Sequence, residues 1–269
     1  MVARHRHPGL PAAALAAVLL AISGVVRALD AEPAPDLPPG SPYRVGELLF
    51  SDDFAGGTGQ WTAELEKGGT VQARDGKLVI DVPAGCTCWF QPVIEGTVLI
   101  QYDATVIKAG GANDRLSDLN CFWMAHDPHD HDGNVPAAGR RGGFPEYDTL
   151  RAYYVGLGGN DNTTTRLRRY VGEAGQRPLL PEHDLRDPRH LLTANVRQSL
   201  RLVAAGSLVQ FYRDGERLFE LNDGAPYTRG WFAFRTVGSH LEIERFRVYR
   251  LHLDALPPAA AASATPSVK

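Results

Sequence analysis

The amino-acid sequence predicts an all-β fold, a sandwich or a barrel and not a parallel sheet. Short β-prone runs separated by turn residues follow one another along the chain, and the signal for helices is weak. Asp75-Gly76 and Asp214-Gly215 are tight-hairpin signals between such runs. The run Val98–Ile107 alternates as a strand with one buried face does. Many strands joined by short turns indicate a sandwich or a barrel.

Twelve β-prone runs are predicted to be strands. They are Leu48–Ser51, Val71–Ala73, Lys77–Asp81, Cys86–Gln91, Val98–Ile107, Cys121–Met124, Leu191–Arg197, Leu200–Val203, Leu208–Arg213, Arg217–Leu221, Trp231–Thr236 and Leu241–Leu251. Because side chains alternate along a strand, Phe232 and Phe234 share one face, which we assign to the core. Trp231, Ala233 and Arg235 then share the opposite face.

The two ends of the chain differ in composition from its middle. Residues 1–31 are predicted to be a secretory signal peptide, because basic residues precede an Ala/Leu-rich apolar run that is short for a membrane span. An uncleaved anchor is the alternative. Residues 32–47 are a Pro-rich linker, residues 48–253 the folded domain, and residues 254–269 a disordered tail poor in large apolar residues. We expect a periplasmic or secreted protein with no membrane attachment after cleavage.

Charge and cysteine content exclude some functions. The net charge is -3 and the isoelectric point is near 6.3, so no global basic field favours nucleic acid. Three cysteines do not make a disulfide scaffold. Cys86 and Cys88 point the same way on a strand and cannot easily bond to each other, whereas either could pair with Cys121. Buried free thiols are the favoured interpretation, and a monomer is expected.

The stretch Arg151–Tyr170, RAYYVGLGGNDNTTTRLRRY, is the most unusual part of the chain. Its first run ends at Gly156 and Gly158-Gly159-Asn160 predicts a turn, so the stretch is expected to form a hairpin. Neither face of the return run is apolar: one carries Arg166, Arg168 and Tyr170, the other Thr165, Leu167 and Arg169. Tyrosines beside guanidinium and amide groups suit an acidic sugar chain. A solvated, charged strand is the alternative.

Several motifs add a resemblance to known families. LFSDDF, the Asp-Gly hairpins and GWFAFRTVGSHLEIERFRVYRL resemble the concanavalin-A-like jelly rolls of lectins and glycan-cleaving enzymes. NCFWMAHDP, YYVGLGGNDNTTTRLRRY, LLPEHDL and FRTVGSH resemble the bacterial YesU-like family of unknown function. The resemblance covers most of Leu48–Leu253 and implies a jelly-roll β-sandwich of two antiparallel sheets. It also implies an association with pectin and rhamnogalacturonan utilisation. The fold hosts binders, hydrolases and lyases, so it does not imply one activity.

Eliminative cleavage of a uronate-containing polysaccharide is the leading hypothesis for activity. A lyase needs a group that neutralises the carboxylate, a base, and an acid for the leaving oxygen. The candidates are Arg166, Arg168 or Arg235 for neutralisation, His183 or His240 as base, and Tyr153 or Tyr154 as acid. The expected substrate-binding residues are Asn120, Trp123, Asn160, Asn162, Arg166, Tyr170 and Trp231. Jelly-roll alginate lyases use similar residue types, but their characteristic short motifs are not evident.

Two other functions compete with the lyase hypothesis. Glycoside hydrolysis needs two carboxylates, and the pairs Glu146/Asp148 and Glu242/Glu244 are each expected on one strand face. Hydrolases of this fold carry a Glu-x-Asp-x-x-Glu motif, and the third acid is missing after Asp148. A lectin-like module needs no catalytic group, because tyrosine and tryptophan platforms with arginine and asparagine hydrogen bonds are sufficient to bind sugar.

A loop rich in histidine and aspartate is a weak candidate for a metal site. Its histidines could bind zinc, and its aspartates could hold a structural Ca²⁺. The histidines are His126, His129 and His131, and the aspartates are Asp127, Asp130 and Asp132. The spacing matches no EF-hand, and Asp-Pro and Asp-Gly are typical of a flexible polar loop. We therefore expect no cofactor.

Overall fold

Fourteen strands, paired antiparallel throughout, form the protein in a computed structural model that describes residues 35 and 37–254. The strands are β1 (Tyr43–Asp52), β2 (Trp61–Leu65), β3 (Thr70–Arg74), β4 (Lys77–Phe90), β5 (Ile94–Glu95), β6 (Val98–Val106), β7 (Leu119–His126), β8 (Arg151–Gly158), β9 (Thr164–Val171), β10 (Asp184–Leu185), β11 (Gln198–Ala205), β12 (Leu208–Arg213), β13 (Glu216–Asn222) and β14 (Arg229–Leu253). Short 3-10 segments lie at Val135–Ala138, Phe144–Tyr147, Pro181–His183 and Pro188–His190. The predicted all-β class is confirmed.

Two long strands, β4 and β14, run through both layers of the sandwich. The first half of β14 pairs with β7 and with the second half of β4, whereas its second half pairs with β6 and β1. The pairing of β14 with β4 shifts register between Val237 and Ser239, where Gly238 has a φ of 55°. Such an irregularity bends a strand. One layer therefore has the order β10-β9-β8-β7-β14-β4-β2, and the other contains β13-β12-β11-β6-β14-β1.

The main core lies between the two layers. Trp61 stacks on Phe234 with ring centroids 5.0 Å apart and meets Phe90 and Phe246 at 5.2 Å and 5.0 Å. Phe232 and Phe234 are both buried in this core, as their alternation predicts. Burying one large apolar side chain contributes roughly 1.5–3 kcal/mol, so this aromatic cluster is a large part of the stabilisation.

A second apolar cluster lies on the outer face of the β7–β9 layer. Trp89, Phe122 and Tyr154 belong to it, and Trp231 and Ala233 join them from the face of β14 that the alternation separates from the core. The segment between β7 and β8 covers part of this cluster through Val135, Tyr147 and Leu150. The layer is therefore packed on both faces, and its outer face is where a surface site can form.

The two Asp-Gly hairpins are confirmed. Asp75 and Gly76 connect β3 to β4 with φ values of 54° and 73°, and Asp214 and Gly215 connect β12 to β13 with 51° and 82°. Positive φ at both central residues is the type I′ pattern, which matches the twist of paired strands.

The strand predicted at Leu191–Arg197 is wrong, because this segment is a loop. Asn195 has a φ of 59°, and its side-chain amide bonds both backbone groups of Lys108, at 2.8 Å and 2.9 Å. The local asparagine bonds replace the ladder of a strand. At the N-terminal end, β1 begins at Tyr43, five residues before the predicted boundary at Leu48.

The predicted signal peptide, residues 32–34 and 36 of the predicted linker, and residues 255–269 lie outside the described residues. Within residues 35 and 37–254, none of the helices has the length and apolar character needed to cross a bilayer. Cys86, Cys88 and Cys121 are buried free thiols, and burial raises the pKa of Cys86 and Cys121 to about 12.

Candidate functional site

The β8–β9 hairpin presents two chemically different faces. Thr165 and Leu167 are buried toward the core, and Tyr153 belongs to the core from the paired strand. Arg166 and Arg168 therefore point outward, as the alternation predicts. Tyr154 lies opposite Arg168 in the ladder and shares its outward face. The inward face of β9 has few large apolar side chains, because a buried threonine, Thr165, occupies one of its positions.

A left-handed turn joins the two strands. Gly158, Asn160, Asp161 and Asn162 have φ values of 65°, 53°, 56° and 59°. Glycine tolerates positive φ without cost, and asparagine and aspartate tolerate it better than other residues. The amide of Asn162 donates to the carbonyl of Leu192 at 3.0 Å and accepts from its N–H at 2.8 Å. Asn162 therefore fixes the turn to a neighbouring loop and, unlike Asn160, does not line the groove beside the hairpin.

A groove of about 360 Å³ opens beside this hairpin on the outer face of β7, β8 and β9. We call it the hairpin groove. Its lining residues are Asp118, Asn120, Phe144, Tyr154, Gly156, Gly159, Asn160, Thr164, Arg166, Arg168, Tyr170, Arg177 and Val237. Six of them were expected from sequence to serve the site: Asn120, Tyr154, Asn160, Arg166, Arg168 and Tyr170. The volume is at the small end of the roughly 300–1,000 Å³ found for ligand sites.

Three arginines line the groove, and their neighbours differ. Arg166 makes a bidentate pair with Asp184, at 2.8 Å and 3.1 Å, and Nε of Arg177 lies 2.9 Å from Oδ1 of Asp148. Arg168 donates to the backbone carbonyl of Arg177 at 2.6 Å. In the described part of the chain, no carboxylate lies within ion-pair distance of Arg168. Its positive charge is therefore the least compensated in the groove.

Electrostatics around Arg168 favour an incoming anion. Burial lowers the pKa of the Arg168 guanidinium, and the charges of Arg166 and Arg177 act in the same direction. Arginine nevertheless stays protonated in proteins, so the charge persists and lacks a counter-ion. A ligand carboxylate would supply that counter-ion with charge-assisted hydrogen bonds.

Polar acceptors and aromatic rings complete the groove. Oδ1 of Asn120 is buried without a hydrogen-bond partner, while its Nδ2 donates to Asp118 at 3.2 Å. The rings of Tyr154 and Tyr170 lie 5.5 Å apart, and that of Phe144 lies 6.0 Å from Tyr154. An unpartnered acceptor beside guanidinium donors and flat apolar surfaces suits a ligand with hydroxyl groups, an anionic group and an apolar face.

The sequence matches the family described as "Domain of unknown function (DUF6250)" over residues 80–246. The chain belongs to this family. The matched region contains the β8–β9 hairpin and every residue that lines the hairpin groove. No curated protein matches the chain.

Solved structures with low sequence identity share the fold of this DUF6250 domain. A protein of unknown function with a galectin-like fold from Bacillus subtilis has a TM-score of 0.60 at 18% identity, covering 79% of this chain and 100% of its own. LamAcat from Zobellia galactanivorans has a TM-score of 0.50 at 12% identity, and the match covers 77% of this chain and 98% of LamAcat. The Emp46p carbohydrate recognition domain in its potassium-bound form has a TM-score of 0.50 at 14% identity. The match covers 71% of this chain and 88% of the Emp46p domain. The concanavalin-A-like fold expected from the sequence is thereby confirmed.

Two aromatic residues predicted to contact substrate lie instead in the core of the DUF6250 domain. Trp123 and Tyr153 are fully buried, and their ring centroids are 5.5 Å apart. The hydroxyl of Tyr153 donates to Asp223 at 2.6 Å, and burial raises the pKa of Tyr153. Both residues are on the inward face of their strands, so neither meets a ligand in the hairpin groove.

The pairing of Asp223 gives a testable pH dependence. Burial alone would raise the pKa of Asp223, but hydrogen bonds from Arg169 (2.8 Å) and Tyr153 bring it below its usual range. A lowered pKa means that the stabilisation is complete above the unfolded-state pKa of about 3.9 and is lost as pH falls through the folded-state pKa.

We therefore expect Asp223→Asn to lower the free energy of unfolding at neutral pH by about 2 kcal/mol, because a buried charged hydrogen-bond pair is broken. The acid side of its stability curve should be flatter than that of the wild type. Urea unfolding between neutral and acid pH measures both effects. Glu95→Gln is the control, because its ion pair with Arg229 is exposed. Equal acid dependence in Asp223→Asn and wild type would contradict this assignment.

The two histidines proposed as bases are not in the groove. His183 is buried at the edge of the sandwich, where Nε2 lies 3.0 Å from the carbonyl of Glu220 and the ring packs against Phe219. His240 pairs with Asp114 at 3.0 Å through Nδ1. The predicted grouping of these histidines with the hairpin tyrosines is wrong, because β13 and the loop before β7 hold them elsewhere.

Two residues on the outward face of β14 lie outside the groove. Trp231 donates from Nε1 to the carbonyl of Gln91 at 3.0 Å and does not line the groove, so its position gives no support to its predicted role as a sugar platform. Arg235 is 1% exposed and lies beneath Phe144 and Tyr147. Trp231 and Arg235 do lie on the outward face of β14, as predicted, but other side chains cover this face, so neither residue is exposed to solvent.

The carboxylate pairs proposed for hydrolysis are also placed differently. Glu146 lies in the 3-10 segment Phe144–Tyr147 and Asp148 ends it, so the expected strand is wrong. Their oxygens accept from backbone N–H groups of Arg141 and Gly175. Glu242 and Glu244 pair with Lys77 on the other layer. Neither pair lines the hairpin groove.

The histidine- and aspartate-rich loop folds on itself. The carboxylate of Asp130 accepts from two backbone N–H groups, and Asp127 pairs with Arg140. His129 lies 3.4 Å from Asp127, and the side chain of His131 is 98% exposed. Over the described residues, no group of three or more His, Cys, Asp or Glu side chains is arranged to hold a metal ion.

Sequence reasoning missed the other seven lining residues of the groove, and three of these carry a charge or an aromatic ring: Asp118, Phe144 and Arg177. Phe144 and Arg177 come from loops that fold over the sheet, and Arg177 lies 5.3 Å from the ring of Phe144. A signal existed for Asp118, because it is two residues from Asn120 at the start of β7. No comparable local signal marks the two loop residues.

Proposed function

We propose that this protein binds an acidic carbohydrate, with a uronate carboxylate held by Arg168 in the hairpin groove. The single observation that carries this proposal is a half-buried guanidinium without a described carboxylate partner. The unpartnered Oδ1 of Asn120 would accept a sugar hydroxyl, and the half-buried ring of Phe144, beside Tyr154, would pack against the sugar.

Similarity to carbohydrate-related proteins supports a sugar ligand. One structural neighbour is a carbohydrate recognition domain, and another was solved, as LamA_E269S, with laminaritriose and laminaritetraose. At such low sequence identity the similarity supports a shared fold only. The acidic character of the proposed ligand is therefore inferred from the charges in the hairpin groove. The motifs that resemble the YesU-like family support a pectic or rhamnogalacturonan-like chain as the natural source of the uronate.

Binding without cleavage is favoured over elimination. A lyase needs a base that is deprotonated near neutral pH, and burial raises the pKa of both Tyr154 and Tyr170. His183 and His240 lie elsewhere. One observation still supports elimination as a second candidate: Asn120, Arg168 and Tyr154, the residue types of a neutraliser and an acid, share one groove.

A panel of glycans separates these functions. Binding to polygalacturonate, rhamnogalacturonan and alginate, compared with neutral glycans of similar length, tests for recognition of acidic sugars. Ultraviolet absorbance of unsaturated uronate tests for elimination in the same samples. We expect binding to acidic glycans without an increase in absorbance. An increase that Tyr154→Phe abolishes would establish the lyase, and equal binding to neutral glycans would contradict a role for charge.

The proposed ligand agrees with export. An acidic polysaccharide is encountered outside the cytoplasm, so we propose that the chain acts in the periplasm or the medium, as a monomer without a cofactor. Fractionation of cells that express the full chain, with N-terminal sequencing of the recovered protein, tests cleavage of the predicted signal peptide.

A further inference from the structure

Arg235 is a buried cation that makes no ion pair among the described residues. The nearby carboxylate of Glu66 lies beyond ion-pair distance: a Cβ added to Gly85 would be 2.7 Å from its Oε2 and 2.9 Å from Nη2 of Arg235. Arg235 is 1% exposed, and its Nε and Nη2 atoms are buried without hydrogen-bond partners. Nη1 donates to Oγ1 of Thr87 at 2.9 Å and to the carbonyl of Gly142 at 2.6 Å. No described carboxylate lies within ion-pair distance. An incompletely paired buried charge is costly, so its position calls for a reason beyond packing.

A short segment, Gly139–Tyr147, covers this cation. The rings of Phe144 and Tyr147 lie 5.3 Å and 5.2 Å from the Arg235 guanidinium. Phe144 also lines the hairpin groove, where Arg177 lies 5.3 Å from the same ring. One aromatic side chain thus separates the open groove from a second guanidinium on the same outer face of the sheet.

Polar bonds and the apolar packing of Tyr147 both hold this segment down. The carboxylate of Glu64 accepts from the Arg140 N–H at 2.9 Å and from the Tyr147 hydroxyl at 2.7 Å, and Arg235 binds the Gly142 carbonyl. Burial raises the pKa of Glu64, which also accepts from Trp89. Opening also has to break the ion pair of Arg140 with Asp127 and the packing of Tyr147 on the outer apolar cluster. The middle of the segment is freer, because Phe144 is half-buried and Pro145 is exposed.

Two glycines allow the backbone conformation that the segment adopts over Arg235. Gly139 and Gly142 have φ values of 61° and 79°. A Cβ at Gly142 would lie 2.6 Å from the backbone nitrogen of Glu66 and 2.7 Å from the carbonyl oxygen of Glu64. The closed position therefore requires glycine at 142, because any side chain there would collide with the backbone of β2.

We propose that Gly139–Tyr147 is a lid over a second anion subsite centred on Arg235. Its opening would extend the hairpin groove from β9 across β7 to β14. The ligand is then a linear oligouronate with carboxylates on successive sugars, one on Arg168 and a later one on Arg235. This inference rests on the proposed function, because it concerns the same bound chain.

Chain length distinguishes the two subsites. A digalacturonate occupies the Arg168 subsite alone, whereas a hexagalacturonate also reaches Arg235. By calorimetry we expect the hexamer to bind at least about tenfold more tightly than the dimer to the wild type, and Arg235→Gln to remove most of that difference. Hydrogen exchange of residues 139–147 should rise on adding the hexamer and stay unchanged on adding the dimer.

A second variant tests the lid even where Arg235→Gln fails to fold. Gly142→Ala disfavours the closed position, so apparent hexamer affinity should rise, because the fraction of open molecules is larger. Without any glycan, phenylglyoxal should modify Arg235 faster in Gly142→Ala than in the wild type. The matched control is Gly215→Ala, which has a φ of 82° in the native hairpin and no atom near an added Cβ. The control should show neither change.

The outcomes are separable. A dimer that binds through Arg168 while the hexamer shows no Arg235-dependent gain would overturn the lid and leave the proposed function standing. Failure of both oligomers to bind would overturn both proposals. Equal modification of Arg235 in Gly142→Ala, Gly215→Ala and wild type would overturn the lid without reference to any glycan.

Discussion

Arg168→Gln is expected to weaken binding of an oligogalacturonate by about ten- to a hundredfold. The guanidinium has no described carboxylate partner, so a ligand carboxylate gains a charge-assisted hydrogen bond there. Such bonds contribute roughly 1.5–3 kcal/mol, and 1.4 kcal/mol is a factor of ten in the dissociation constant. Calorimetric titration with tetragalacturonate measures the effect.

Folding should be little affected by this substitution. Arg166 and Arg177 repel Arg168, and the bond that is lost joins it to one backbone carbonyl. Arg44→Gln is the charge-matched control, because Arg44 is 72% exposed, pairs with Asp254 and does not line the groove. It should bind the oligomer as the wild type does. Tight binding retained by Arg168→Gln would remove the main support for the proposed ligand.

Trp123→Ala is expected to lower the free energy of unfolding by about 3–5 kcal/mol, as large core aromatics do. The indole is fully buried against Tyr153 between the layers. The affinity of the folded fraction for oligogalacturonate should stay at the wild-type level, because Trp123 faces away from the hairpin groove. Denaturant unfolding and calorimetry together test both statements.

Trp123→Phe is the matched control. The indole N–H of Trp123 is buried without a hydrogen-bond partner, so phenylalanine keeps most of the packing and removes an unsatisfied donor. We expect Trp123→Phe to lower the free energy of unfolding much less than Trp123→Ala does. If Trp123→Ala were as stable as the wild type but no longer bound glycan, the original assignment of this residue to substrate binding would be correct.

Most of the architecture was predictable from local patterns. The Asp-Gly hairpins at residues 75 and 214 specify their turns because few other dipeptides accept two positive φ values. Alternation along β14 separated Phe234, in the core, from Arg235 on the outer face. Leu191–Arg197 was mispredicted because a tertiary contact of Asn195 replaces strand pairing that its composition favours.

The functional site was predictable only where it lies on one hairpin. Alternation placed Arg166 and Arg168 on a shared face, and register then set Tyr154 beside Arg168. The prediction that His183 and His240 join the hairpin residues failed, because the positions of these histidines depend on pairing between distant strands. Sequence spacing does not encode that pairing. Phe144 was missed for the same reason, since its segment folds back over the sheet through long-range bonds to Glu64.

The central claim is that Arg168 recognises the charge of a uronate. The most direct measurement is calorimetric titration of the wild type and Arg168→Gln with tetragalacturonate and with its methyl ester, which has the same sugar chain without the charge. We predict that the wild type binds the acid at least about tenfold more tightly than the ester and that this preference disappears in the variant. Equal affinity of the wild type for acid and ester, or an unchanged preference in Arg168→Gln, would contradict the claim.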